Sequence, residues 1–279
     1  MHPKTGEGIH SRSMSTIYIY TGVIMPYSQF ALPLPSIGDY FRWARERAGM
    51  TRQALSDRTN VAYGTIRKIE SGEQKRVGDS VLRPLITTLN LTSAAQLRYI
   101  DELNRVEIRR FWIADGVRAD LCDAERAQLT ALTHVAAAYL NERWDIIGAN
   151  DAYEALFPGI RAAGNVMRWL FSETGRRIVI GWEDEAAETV ALTRGLMAHF
   201  GNPEWGRRLV SELQHDSDFR RLWMGREIAY DRTADSPIHI WTPSGPVTVV
   251  MQFRPVTQRP DLLHLALAFP QPYVGSALR

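Results

Sequence analysis

Residues 50–72 read MTRQALSDRTNVAYGTIRKIESG. Thr51 suits an N-cap, its hydroxyl accepting from an otherwise unpaired amide of a helix over 52–59. That helix is expected to bury Ala54, Leu55 and the aliphatic stem of Arg58. Asn60 follows, one of the few non-glycine residues that tolerates a left-handed turn. A second helix, 63–70, turns Ile66 and Ile69 inward at the helical period and stops at Gly72. Its outward positions are Tyr63, Gly64, Thr65, Arg67 and Lys68. Two short helices about a tight turn form the core of a helix-turn-helix.

The flanks extend the pattern. Ser36 is placed to cap a helix running to Ala48, with Ile37, Tyr40, Phe41 and Ala44 on one face and Gly49 as its stop. After a polar loop, a fourth helix begins near Asp79 or Ser80, with Pro84 expected in its first turn, where amides lack intrahelical partners. Thr92 is expected to cap a fifth, carrying a stripe of Leu97, Ile100, Leu103 and Val106. Five helices over 36–110 make an all-α domain. Residues 1–35, with four prolines and no sustained period, read as a flexible or loosely docked extension.

On Thr51, Leu55, Val61, Thr65, Ile66, Ile69, Glu70 and Gly72, residues 36–92 resemble the helix-turn-helix of the xenobiotic-response-element (Cro/repressor) family. The family pattern has a serine cap and a glycine where this chain has Ala62 and Asn60. The resemblance implies binding of double-stranded DNA as a homodimer, with helix 63–70 in the major groove and Arg52 clamping a backbone phosphate. The chemistry agrees. Arg67 or Lys68 can reach guanine O6 and N7, and Tyr63 or Thr65 a thymine methyl or phosphate. Gly64 permits close backbone approach, and Lys75 and Arg76 in the following loop suit phosphates. Glu70 reads as one side of a structural ion pair. The alternative use of these helices is against protein, as in an antitoxin or an anti-sigma-like partner.

Beyond a linker at 111–122, residues 123–271 mix strand-like and helical patterns, ahead of a tail at 272–279. AAAYLN (136–141) and DIIGAN (145–150) read as a strand pair. Helices are expected at 151–157, 165–171, 182–200, 205–214 and 217–224, then strands at 238–241, 246–255 and 262–269. TPSGP between the first two of these carries hairpin chemistry. The expected fold class is α+β, with one antiparallel sheet and helices on one side, as in PAS-type modules. RWDIIGANDAYEALF, GNVMRWLF, GWEDEAAETVALTRGL and LVSELQHDSDFRRLW, in that order, resemble the ligand-binding domain of MmyB-like transcription regulators. The family's His-Pro before the last hairpin is replaced by His239 and Thr242-Pro243.

That resemblance implies a bacterial sensor of a small molecule, with no fixed cofactor. Candidate pocket residues are Tyr153, Trp169, Phe171, Trp182 and Trp223, with Asn150, Asn165 and Arg168 as orienting polar groups. Trp144, Phe157 and Trp241 are further aromatic candidates. Their aromatic content points to an apolar or acyl-like effector.

Composition bounds the rest. The chain has 279 residues, 45% hydrophobic and 23% charged, enough for two packed domains. Residues 1–110 carry 16 Lys and Arg against 10 Asp and Glu, whereas 111–279 carry 17 against 21. A basic front and an acidic rear suit a polyanion partner for the front alone. No apolar run reaches the ~20 residues of a membrane span, and no secretory signal is evident, so a cytoplasmic location is expected. The single cysteine, Cys122, reads as packing material and excludes an internal disulfide. No lysine lies beyond Lys75, which removes Schiff-base and Ser–Lys chemistry from the rear. The rear histidines show no zinc spacing, and nucleophile-elbow and phosphate-loop motifs are absent. Glu183, Asp184 and Glu185 are adjacent, hence diverge on a helix, and read as a negative helix start rather than an acid/base pair. No enzyme is expected.

Overall fold

Ser36 accepts a hydrogen bond from the Asp39 amide at 3.1 Å and starts α1 (Ile37–Arg47). Thr51 does the same for α2 (Arg52–Thr59), and Asn60 turns the chain at φ 55° into α3 (Tyr63–Glu70). The structure is a computed structural model describing residues 31–105, 120–232, 237–256 and 263–274. α4 (Asp79–Thr88) and α5 (Ala94–Asn104) complete the N-terminal domain. Its core joins Tyr40 and Phe41 of α1, Leu55 of α2, Ile66 and Ile69 of α3, Leu85 of α4, and Tyr99 and Ile100 of α5. Gly38 lets α1 approach α3, since a Cβ there would lie 2.2 Å from the Ile69 carbonyl oxygen.

Several details differ from expectation. Ser93, not Thr92, caps α5 in a reciprocal box with Gln96, and Leu97 is exposed while Tyr99 takes the buried position. Val106, the end of that stripe, lies outside the described residues. α2 buries Thr59 beside Leu55, its hydroxyl satisfied by the Leu55 carbonyl at 2.6 Å, and leaves Arg58 exposed. Pro84 stands in the second turn of α4, so the carbonyl it leaves without a helical partner is that of the exposed Ser80.

The C-terminal half opens with α6 (Asp123–Ala131), followed by β1 (Ala136–Asn141) and β2 (Ile146–Ala149). Four short helices follow: α7 (Asp151–Leu156), α8 (Ile160–Ala163), α9 (Val166–Leu170) and α10 (Glu173–Ile178). After the two-residue β3 (Val179–Ile180) come α11 (Trp182–His199), α12 (Glu204–Leu213) and α13 (Ser217–Gly225). The strands β4 (Ile238–Thr242), β5 (Gly245–Pro255) and β6 (Leu263–Pro272) close it. All pairings are antiparallel, in the order β2-β1-β6-β5-β4-β3, so the fold is α+β. Pro243 and Ser244 form the expected turn, with Thr242 paired to Gly245.

Side chains alternate across this sheet as its pleat requires. Ala136, Ala138, Leu140, Ala266 and Ala268 face the core under α7–α13, whereas Ala137, Tyr139, Leu263 and Leu265 face the other side. Helices were expected on one side only, but α6 covers this second face through Leu129, with Leu121 beside it. Leu121, assigned to the linker, is therefore buried, while Cys122 is exposed rather than packed. Leu32 and Leu34, assigned to the extension, pack against the C-terminal core, and the Pro33 carbonyl accepts from the Trp223 indole at 2.9 Å. At the tail, Pro272 belongs to β6 and the Val274 amide donates to Thr248 Oγ1 at 3.0 Å. The rest of the extension, linker and tail lies outside the described residues.

Candidate functional site

α3 has two faces with different work. Ile66 and Ile69 are 2% and 1% exposed, while Tyr63, Gly64, Arg67 and Lys68 are exposed and Thr65 half-buried. A Cβ on Gly64 would meet nothing within 4 Å, so this point of the helix faces open space. Ala62 supplies no side-chain cap, as its lack of a hydroxyl dictates. The Arg67 guanidinium rests against the Glu73 carboxylate in a forked pair at 3.1 and 3.2 Å, both side chains half-exposed. Lys75 and Arg76 are exposed in the loop after α3.

The back of α3 is locked by Glu70, only 3% exposed. Arg45 Nε donates to Oε1 at 2.6 Å and Arg45 Nη2 to Oε2 at 2.9 Å, while Arg52 Nε reaches Oε2 at 2.8 Å. The Arg42 guanidinium also donates to the Glu70 carbonyl. Burial pushes the Glu70 carboxyl upward, but the hydrogen bonds from Arg45 and Arg52 outweigh it and hold it below its ordinary 4.5. Glu70 is thus the structural ion pair expected of it. Arg52, read as a phosphate clamp, is itself oriented by Glu70 at the start of α2, with its side chain 36% exposed.

The C-terminal core contains a cavity of about 50 Å³. Trp144, Tyr153, Phe157 and Trp169 line one side, and Met251 and Phe253 of β5 another. Trp144 adopts φ 64°, packs edge-on to Phe253 at 5.9 Å, and carries a buried indole N–H with no hydrogen-bond partner among the described residues. The polar wall is Glu185 and Thr189 of α11 with Arg232. Arg232 Nη1 and Nη2 donate to the Glu185 carboxylate at 2.6 and 2.7 Å. Burial works against the Arg232 charge, but the hydrogen bonds it donates to Glu185 hold it above its ordinary value.

Of the sequence-derived pocket residues, Tyr153 and Trp169 line this cavity, as do Trp144 and Phe157; the others are placed elsewhere. Asn150 caps α7, and its amide donates to the Leu132 and Val135 carbonyls. Asn165 caps α9 and donates to the Arg143 carbonyl and Asp145. Arg168 makes a surface ion pair with Glu212 at 2.7 Å. Phe171 packs between Trp182 and Phe219. The Trp182 indole donates to the Leu170 carbonyl, and Trp223 is fully buried in the core. Trp241 is 45% exposed on β4. Sequence reasoning missed the Glu185–Arg232 pair: Glu185 does open α11, but its partner lies 47 positions away, beyond any local spacing rule.

Among the described residues, no group of three or more His, Cys, Asp or Glu could hold a metal, and no helix is long and apolar enough to cross a membrane. The family model for the MmyB-like transcription regulator ligand-binding domain matches residues 121–278. A helix-turn-helix domain model matches residues 36–99. A comparison with curated proteins finds no match.

Proposed function

Given that the chain belongs to the family with the MmyB-like transcription regulator ligand-binding domain, we propose that it binds a specific DNA site through α3 and senses a small molecule in the C-terminal cavity. The observation that carries this reading is the exposed face of α3. Arg67 and Lys68 project from a helix whose other face is fixed by Ile66, Ile69 and the Glu70 network. A rigid helix presenting such side chains fits the major groove. Arg67 exchanges its Glu73 partner for a base edge or phosphate on binding. Arg52, Lys75 and Arg76 are the phosphate contacts. Two copies bind two half-sites about one helical turn apart, which multiplies the affinity of one module.

The effector is a small apolar or acyl-like molecule held by Tyr153, Trp169, Trp144 and Phe157, with Trp144 Nε1 as an available donor. The protein acts through binding, not catalysis, in the cytoplasm.

Salt titration tests the DNA reading. The logarithm of affinity should fall linearly with the logarithm of salt, and Lys75→Ala should reduce that slope by about one. An unchanged slope removes Lys75 from the interface. No salt-dependent binding of DNA, together with capture of a defined protein, would instead favour the antitoxin-like or anti-sigma-like use of the same helices.

A further inference from the structure

The segment from Arg226 to Arg232 joins the two functional regions residue by residue. It follows α13 and lies outside helix and sheet. At its start, the Arg226 guanidinium forks onto Asp39 of α1 at 2.8 and 2.9 Å, with the Arg226 side chain 8% exposed. Ile228 and Tyr230 pack against the N-terminal core, and Arg98 of α5 sits 3.9 Å over the Tyr230 ring. At its end, Arg232 forms the cavity wall with Glu185. Alternate residues of one extended strip thus touch α1, the helix-turn-helix core and the cavity.

The strip lies flat on α11. The Ala229 amide donates to the Ala191 carbonyl at 3.2 Å, and the buried Arg194 donates to the Glu227 carbonyl at 3.2 Å. Gly195 makes this approach possible, because a Cβ there would lie 2.3 Å from the Ala229 carbonyl oxygen. A cavity of about 50 Å³ is far below the ~300 Å³ at which small-molecule sites begin. An occupant must therefore move a wall. Most other lining residues stand on helices or paired strands, Trp144 and Phe157 being the exceptions beside a turn and at the end of α7; the strip has few backbone bonds of its own, and such segments open at the lowest cost.

We infer that residues 226–232 are the mechanical link between the cavity and the DNA-binding half: displacing Arg232 from Glu185 shifts the strip, and the shift loosens α1 and α5. This rests on the reading of the cavity as the effector site, but the link itself can be tested without effector or DNA. Amide hydrogen exchange is measured on the full chain as wild type and as Glu185→Gln, which removes the charge from the forked Glu185–Arg232 pair and leaves Glu188, 3.6 Å from Arg232, as the nearby carboxylate. The expected result is at least threefold faster exchange in the strip and in α1 and α5, which Glu185 does not touch. Faster exchange confined to α11 and the cavity walls would overturn the link. Arg232→Lys, which keeps the charge and loses the fork, serves if Glu185→Gln does not fold.

DNA affinity then supplies a double-mutant cycle between Glu185→Gln and Asp39→Asn. Residues in separate ion pairs with no shared partner should be additive unless something connects them. The link predicts that the double variant loses no more affinity than the worse single one; additive losses contradict it. Absence of any DNA binding by the wild type would defeat the proposed function, while the exchange result would still decide the link.

Discussion

The two halves use their polar groups in opposite ways. In the N-terminal domain the buried charge is spent behind α3, where Glu70 with Arg45 and Arg52 fixes the helix, and the cations in front stay exposed. In the C-terminal half the polar side chains nearest the core mostly secure the backbone: Asn150 and Asn165 cap helices, and the Trp169 indole bonds the Pro158 carbonyl at 2.9 Å. The polar groups on the cavity lining are the Trp144 indole N–H, without a hydrogen-bond partner among the described residues, Thr189 and the Glu185–Arg232 ion pair. A protein that must touch a large, charged partner can display its chemistry on one helix. A protein that must enclose a small one has to assemble its site from distant segments.

This contrast can be broken by substitution. Trp223 is fully buried, stacked 5.6 Å from Phe219 and bonded to the Pro33 carbonyl. Trp223→Ala should cost about 3–5 kcal/mol, read by denaturant unfolding; a cost below about 1 kcal/mol would show that this core is loosely packed. Next comes Glu70→Gln, which removes the buried carboxylate charge that Arg45 and Arg52 share and should cost about 3 kcal/mol at neutral pH. Because the Glu70 carboxyl sits below its ordinary 4.5 in the fold, its contribution is present above that pH and is lost as pH falls through the depressed value. The gap between wild type and Glu70→Gln should therefore close in acid. A gap that stayed constant would mean the carboxylate charge is not what stabilises α3. The smallest effect is a gain: Ala62→Ser supplies the missing cap of α3 and should add about 0.5–1 kcal/mol, seen as a higher unfolding midpoint.

The same contrast explains what could be read from the chain. α2 and α3 match their expected bounds because capping residues, Asn60 and the Ile66/Ile69 period all act within one turn. The exposed face of α3 follows from that period alone. β1 is equally legible as a buried run, and the Pro243–Ser244 turn from its residue types. The short α8 and α10 and the two-residue β3 were invisible, since elements of a few residues have no period to detect and form by packing. Asn150, a candidate orienting group that equally suits a helix cap, caps α7, and Asn165, another candidate orienting group, caps α9. The cavity wall depends on Glu185 meeting Arg232, a pairing set by the docking of the strip on α11 rather than by sequence spacing.

In the proposed reading, the outward face of α3 recognises the DNA sequence, Arg52, Lys75 and Arg76 hold the phosphates, and the Glu70 network fixes the helix behind it. Affinity selection of genomic fragments by the full-length protein, beside an Arg67→Ala, Lys68→Ala double variant, tests it most directly. Both residues are exposed, so the double variant should stay within about 0.5 kcal/mol of wild-type stability. The wild type should enrich a short two-fold-symmetric site, and the equally stable variant should lose it. Equal enrichment by both proteins would contradict that reading.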